Sequence, residues 1–92
     1  KLPTHDSPTH IINLSGGDNE GIVHYISDKL TVMGINILEI ITDTKNAPIT
    51  GSAIFLMKVK ISLDDENQTN ELSDRLNEIQ SRLGLDITLN KI

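Results

Sequence analysis

From Ile22 onward, apolar residues recur at spacings of three and four: Ile22, Val23, Ile26, Leu30 and Met33. That spacing places them on one stripe of a helix, with His24, Asp28 and Thr31 on the wetter side. Gly34 follows the last stripe residue, where a left-handed C-cap is wanted. A second stripe, Leu72, Leu76, Ile79 and Leu83, stops in the same way at Gly84. On its polar side Glu71–Arg75 and Glu78–Arg82 stand at i,i+4 in the favourable order, which predicts ion pairs worth about 0.2–0.5 kcal/mol each.

Four other segments read as strands. Residues 9–15 are short and β-branched, and residues 35–43 are rich in Ile. Residues 52–62 alternate: Ala53, Phe55, Met57, Val59 and Ile61 share one face, while Ile54, Leu56, Lys58 and Lys60 share the other. At the end Leu85, Ile87 and Leu89 alternate with Asp86, Thr88 and Asn90. Turn-rich residues 15–21, a Pro- and Gly-bearing loop at 44–51 and an acidic turn at 64–67 separate these elements.

The order is therefore β-α-β-β-α-β. The halves echo each other: Ile26 answers to Leu76, Gly34 to Gly84, Ile35 to Leu85 and Ile37 to Ile87. Two right-handed βαβ units side by side give the α+β ferredoxin-like sandwich, a four-stranded antiparallel sheet with both helices on one face. The uncovered face should then be polar. Ile54 and Leu56 lie on it instead, and residues 35–43 are apolar on both sides, with Ile37 and Ile41 on one and Leu38 and Ile40 on the other. A strand apolar on both faces is usually buried on both. Ile37, Ile41, Ile54 and Leu56 are thus expected to meet another domain.

Composition narrows the class. The chain has 92 residues and a net charge of −5, which is one domain's length. Phe55 and Tyr25 are the only aromatics, so the core must be aliphatic. The acidic balance and the missing aromatics argue against nucleic acid, which wants basic charge and stacking surface. Without Cys there is no disulfide frame or thiolate zinc site. No apolar run approaches the ~20 residues of a membrane span. Residues 1–8 are polar with two prolines and read as a linker or the tail of a preceding domain, leaving 9–92 as the folded unit.

Candidate chemistry gathers at the first turn. Gly16 to Gly21 lead into a helix N-terminus, whose amides and dipole favour an anion such as a carboxylate. Asp18 and Glu20 would repel a phosphate but suit the ammonium of a zwitterionic amino acid. Asp18 or Asn19 is also expected to cap the helix. Asn36 brings an amide to the start of the second strand. His5, His10 and His24 show no metal-ligand spacing, and no Ser, His or carboxylate constellation suggests catalysis, so no metal, cofactor or enzyme activity is expected.

Ser15-Gly16-Gly17-Asp18-Asn19-Glu20-Gly21-Ile22-Val23, followed by Met33-Gly34-Ile35-Asn36-Ile37, resembles the ACT domain family. Residues 47–57 are similar to the second ACT domain of proteins related to the glycine cleavage system transcriptional repressor. The resemblance implies a cytoplasmic regulatory module that binds an amino acid and acts through another ACT domain or a partner protein, without touching DNA or membrane. It implies that Asp18 holds the ligand's ammonium or side chain, that Gly17, Asn19, Glu20, Gly21 and Ile22 supply the backbone facing its carboxylate, and that Asn36 reaches across a domain interface. Glu20 stands where the family pattern has Pro, which leaves the turn freer and more negative. A pairing module without ligand, or the regulatory domain of a formyltetrahydrofolate deformylase-like enzyme, are the alternatives.

Overall fold

The computed structural model describes residues 8–17, 21–46, 48–49 and 51–92. Its elements are β1 (His10–Gly17), α1 (Ile22–Val32), β2 (Asn36–Asn46), β3 (Ala53–Ser62), α2 (Glu66–Leu83) and β4 (Asp86–Lys91). The strands form one antiparallel sheet in the order β2-β3-β1-β4. This is the expected α+β ferredoxin-like arrangement.

Alternation along the strands decides what the sheet buries. Register sets Ile12 opposite Val59 and Leu14 opposite Met57, with Leu89 and Ile87 beside them on β4. Ile22, Ile26 and Leu30 of α1 and Leu72, Leu76 and Ile79 of α2 complete the same buried cluster. Fully burying one such side chain contributes about 1.5–3 kcal/mol, so this aliphatic layer is what holds the helices on the sheet.

Both helices stop by the same device. Gly34 adopts φ 75° and donates its N–H to Thr31 O at 2.9 Å, while Ile35 N–H donates to Leu30 O at 3.0 Å. Gly84 adopts φ 68°, and the N–H groups of Gly84 and Leu85 both donate to Gln80 O, at 2.9 and 3.3 Å. A left-handed residue closes the helix carbonyls and aims the next residue inward. Ile35 and Leu85 are accordingly buried, each 5% exposed. The echo between the halves has this physical content.

The structure also departs from the expected pattern. β1 continues through Gly16 and Gly17, which pair with Phe55 and Ile54. β2 runs to Asn46 because β3 supplies partners as far as Ala53. A bulge between Ile37 and Glu39 shifts the phase of β2 by one residue. Ile37 and Ile40 therefore both pack against the core, and Ile37 is not on the open face. The helix after the acidic turn begins at Glu66, and Leu83 at its last turn is 38% exposed because Leu85 fills the core beyond it. Arg75 Nη1 meets Glu78 Oε1 at 3.4 Å, so an i,i+3 pair forms in place of the expected i,i+4 pairs with Glu71 and Arg82.

Asp65 caps α2: its Oδ1 accepts from Gln68 N–H at 2.9 Å, and Gln68 Oε1 accepts from Asp64 N–H at 2.8 Å. These bonds satisfy donors that the helix itself cannot. Asp65→Ala is expected to lower stability by about 1 kcal/mol, measured by urea denaturation. An unchanged midpoint would show that the cap contributes nothing.

Candidate functional site

The first turn is built from β1 and α1. Asp18, Asn19 and Glu20 lie outside the described residues. On their far side Gly21, at φ 81°, is the N-cap of α1, and its carbonyl accepts from Tyr25 N–H at 2.9 Å. Asp18 or Asn19 is expected to cap the helix, but Gly21 holds the N-cap position and has no side chain to cap with. The amides of the first turn have no partner within the helix, and its first turn carries no acidic side chain. Ile22 is buried in the core, so it can offer this turn only its backbone.

The two glycines of β1 differ in role. Gly16 lies on the helix-covered face, and a Cβ there would overlap Leu85 Cδ2. A side chain there has to displace Leu85. Gly17 is exposed, with no described atom within 4 Å of where a Cβ would sit, and stays open to a ligand.

Asn36 is exposed at the start of β2 and pairs with Ser62. Gly17 pairs with Ile54, at the other end of β3. Eight residues of extended chain separate those partners, about 27 Å. One chain therefore does not bring Asn36 to the first turn.

The open face of the sheet carries the remaining expected residues. Ile41 is 43% exposed there, and Ile54 and Leu56 are half-buried. A shallow groove of about 480 Å³ crosses this face, with Leu56 and Ile41 in it and Asp43, Lys58 and Asp86 around it. The sequence shows these charges on exposed alternate positions. What it does not show is that register collects them around one depression.

No protein-family model matches the chain. A comparison with curated proteins finds no match either. Solved structures do match. An unknown protein from Galdieria sulphuraria superposes with a TM-score of 0.81 at 27% identity, over 100% of this chain and 53% of that one. The chain thus spans about half the length of that protein. An ACT domain protein from Streptococcus pneumoniae superposes with a TM-score of 0.69 at 24% identity, over 92% of this chain and 90% of that one. The chain shares the fold of that ACT domain protein. A formyltetrahydrofolate deformylase from Pseudomonas putida KT2440 contains the same fold, with a TM-score of 0.70 at 17% identity, over 89% of this chain and 28% of that one.

On this ACT frame the titratable groups are mostly at the surface. Among the described residues no three His, Asp or Glu converge as a metal site. No described helix is long and apolar enough to cross a membrane. His10 is the exception to surface behaviour. Thr9 Oγ1 accepts from Leu63 N–H at 2.9 Å and shares a hydrogen bond of 2.8 Å with His10 Nδ1. Desolvation, and then the charge of Lys91, hold the imidazole below its usual pKa of 6.5.

The contrast between the glycines is measurable. Gly16→Ala is expected to cost about 1–3 kcal/mol by overpacking Leu85, whereas Gly17→Ala is expected to stay within about 0.5 kcal/mol. Equal losses in thermal or chemical unfolding would contradict the assignment. For His10, the unfolded chain binds a proton more readily than the folded one, so stability falls as pH drops through the usual His range toward the lowered folded value. His10→Gln should flatten that slope; identical slopes between about pH 5 and 8 would contradict it.

Proposed function

We propose that this chain is a regulatory ACT domain that binds an amino acid at its first turn, across an interface with a second ACT domain. The observation that carries this reading is the separation of Asn36 from Gly17 by about 27 Å. Gly17, Gly21 and Ile22 offer backbone donors at one end of the sheet, with Asp18, Asn19 and Glu20 between them in sequence, and Asn36 offers an amide at the other end. A second domain lying antiparallel to the first brings one domain's Asn36 to the other's turn.

Two features support a domain partner. β2 is an edge strand whose outer backbone groups have no neighbour in the sheet, and such an edge is a template for pairing. The Galdieria protein is almost twice as long as this chain, which leaves room for a second unit. A tandem ACT regulator resembling the glycine cleavage system transcriptional repressor fits that arrangement. The regulatory domain of a deformylase-like enzyme is the second reading, favoured by the fold shared with the Pseudomonas protein; the gene's residues flanking this chain separate the two.

A ligand held by both domains binds only the assembled state, so it must tighten assembly. At a concentration of about 100 Kd it should strengthen association by about 2.7 kcal/mol. Amide-shift titration with the twenty amino acids, paired with sedimentation, checks this. The expected result is shifts at Gly17, Gly21, Ile22 and Asn36 together with a rise in mass, both abolished by Asn36→Ala. Shifts without any change in assembly, or no shifts at all, would overturn the reading.

A further inference from the structure

Lys58 and Lys60 stand on the same open face of β3 but meet different neighbours. Lys60 lies opposite Glu39, and its Nζ is 3.4 Å from Oε1. Lys58 lies opposite Ile41 on β2 and Asn13 on β1, neither of which is charged. It has no ion pair with any described residue. Asp43 and Asp86 also lack a cation among the described residues; Asp43 Oδ1 accepts only from the adjacent Thr44 N–H, at 2.8 Å.

Register aligns these charges. Asp43, Leu56, Ser15 and Asp86 form one row across the four strands. Three inter-strand steps separate its ends, about 14 Å. Lys58 is in the next row, diagonal to Asp43. All of these residues line the groove of about 480 Å³, a volume in the range of small-molecule sites. With one lysine against two carboxylates, the groove carries one net negative charge.

We propose that the groove is a second ligand site, separate from the interface site above, and that it takes a basic α-amino acid. The ligand's α-carboxylate lies on Lys58 and its α-ammonium on Asp43. Its methylenes cross Leu56, and its side-chain cation reaches Asp86 beside Thr88. The two nitrogens of an extended lysine are about 7 Å apart, and a hydrogen bond of about 3 Å at each end brings the span to about 13 Å, matching the row. The ligand's single net positive charge complements the groove. A second copy of this chain is a poorer occupant: stacked face to face about a two-fold axis along the strands, it sets Asp43 over Asp86.

The test is amide-shift titration of the chain with L-lysine, with norleucine (no side-chain ammonium) and cadaverine (no carboxylate) as comparators. The expected result is shifts at Ser15, Leu56 and Asp86 with no change in sedimentation. Norleucine, cadaverine and the variants Lys58→Met and Asp86→Asn should each bind at least about tenfold more weakly. Asn36→Ala should bind L-lysine normally, which separates this site from the interface site. Silence at those amides up to about 10 mM L-lysine, equal affinity for norleucine, or an unaffected Asp86→Asn variant would overturn the proposal.

Discussion

The fold depends on how each helix is made to stop. Gly34 and Gly84 take the left-handed conformation that reverses the chain without a gap, and the residue after each is driven into the core. Ile35 and Leu85 thereby fix where β2 and β4 begin. With the strand starts fixed, the aliphatic stripes of α1 and α2 can lie only on the face that carries Ile12, Leu14, Met57 and Val59. Leu85 does one thing more. It occupies the space that a side chain at residue 16 would need, so any larger residue just before the candidate turn has to displace Leu85. The end of one half of the molecule is packed against the start of the other.

That frame leaves the candidate groups in two separate places. Helices on one side only leave the opposite sheet face open, and the order β2-β3-β1-β4 leaves β2 as a long edge. The first turn and Asn36 then stand at opposite ends of the molecule. The proposed amino-acid site therefore calls for a second domain to complete it. The open face is different in kind, because its groove is assembled within a single chain.

Much of this was legible in the sequence, because the signals were local. Helical stripes, the strand alternation of 52–62 and the two glycine stops need only neighbouring residues, and they yield the element order and fold class. The misreadings come from tertiary terms. The bulge at Leu38 turned Ile37 toward the core, and a register defect leaves no mark in hydrophobic period. Asn46 is in a strand because β3 offers it Ala53, not because Asn favours one. Gly16 reads as part of a turn-rich break, whereas it lies in β1 against Leu85, far along the chain. The Asp65 cap could have been read from Asp65-Glu66-Asn67-Gln68, which matches a capping box. Of the expected site, Gly17, Gly21 and Asn36 are exposed, and Ile22 is a core residue. The charged rim of the groove was visible only as separate polar positions, since its alignment is set by pairing across four strands.

A ligand site shared between two domains can be rebuilt from two defective chains. Asp18→Ala removes the turn's carboxylate, and Asn36→Ala removes the interface amide. Each variant alone should lose the ligand response. In a two-fold dimer the mixed pair rebuilds one intact site from the two unmutated halves, so an equimolar mixture should recover about a quarter of the wild-type binding sites in calorimetry. A full response from Asn36→Ala alone, or from Asp18→Ala alone, would show that no site is shared.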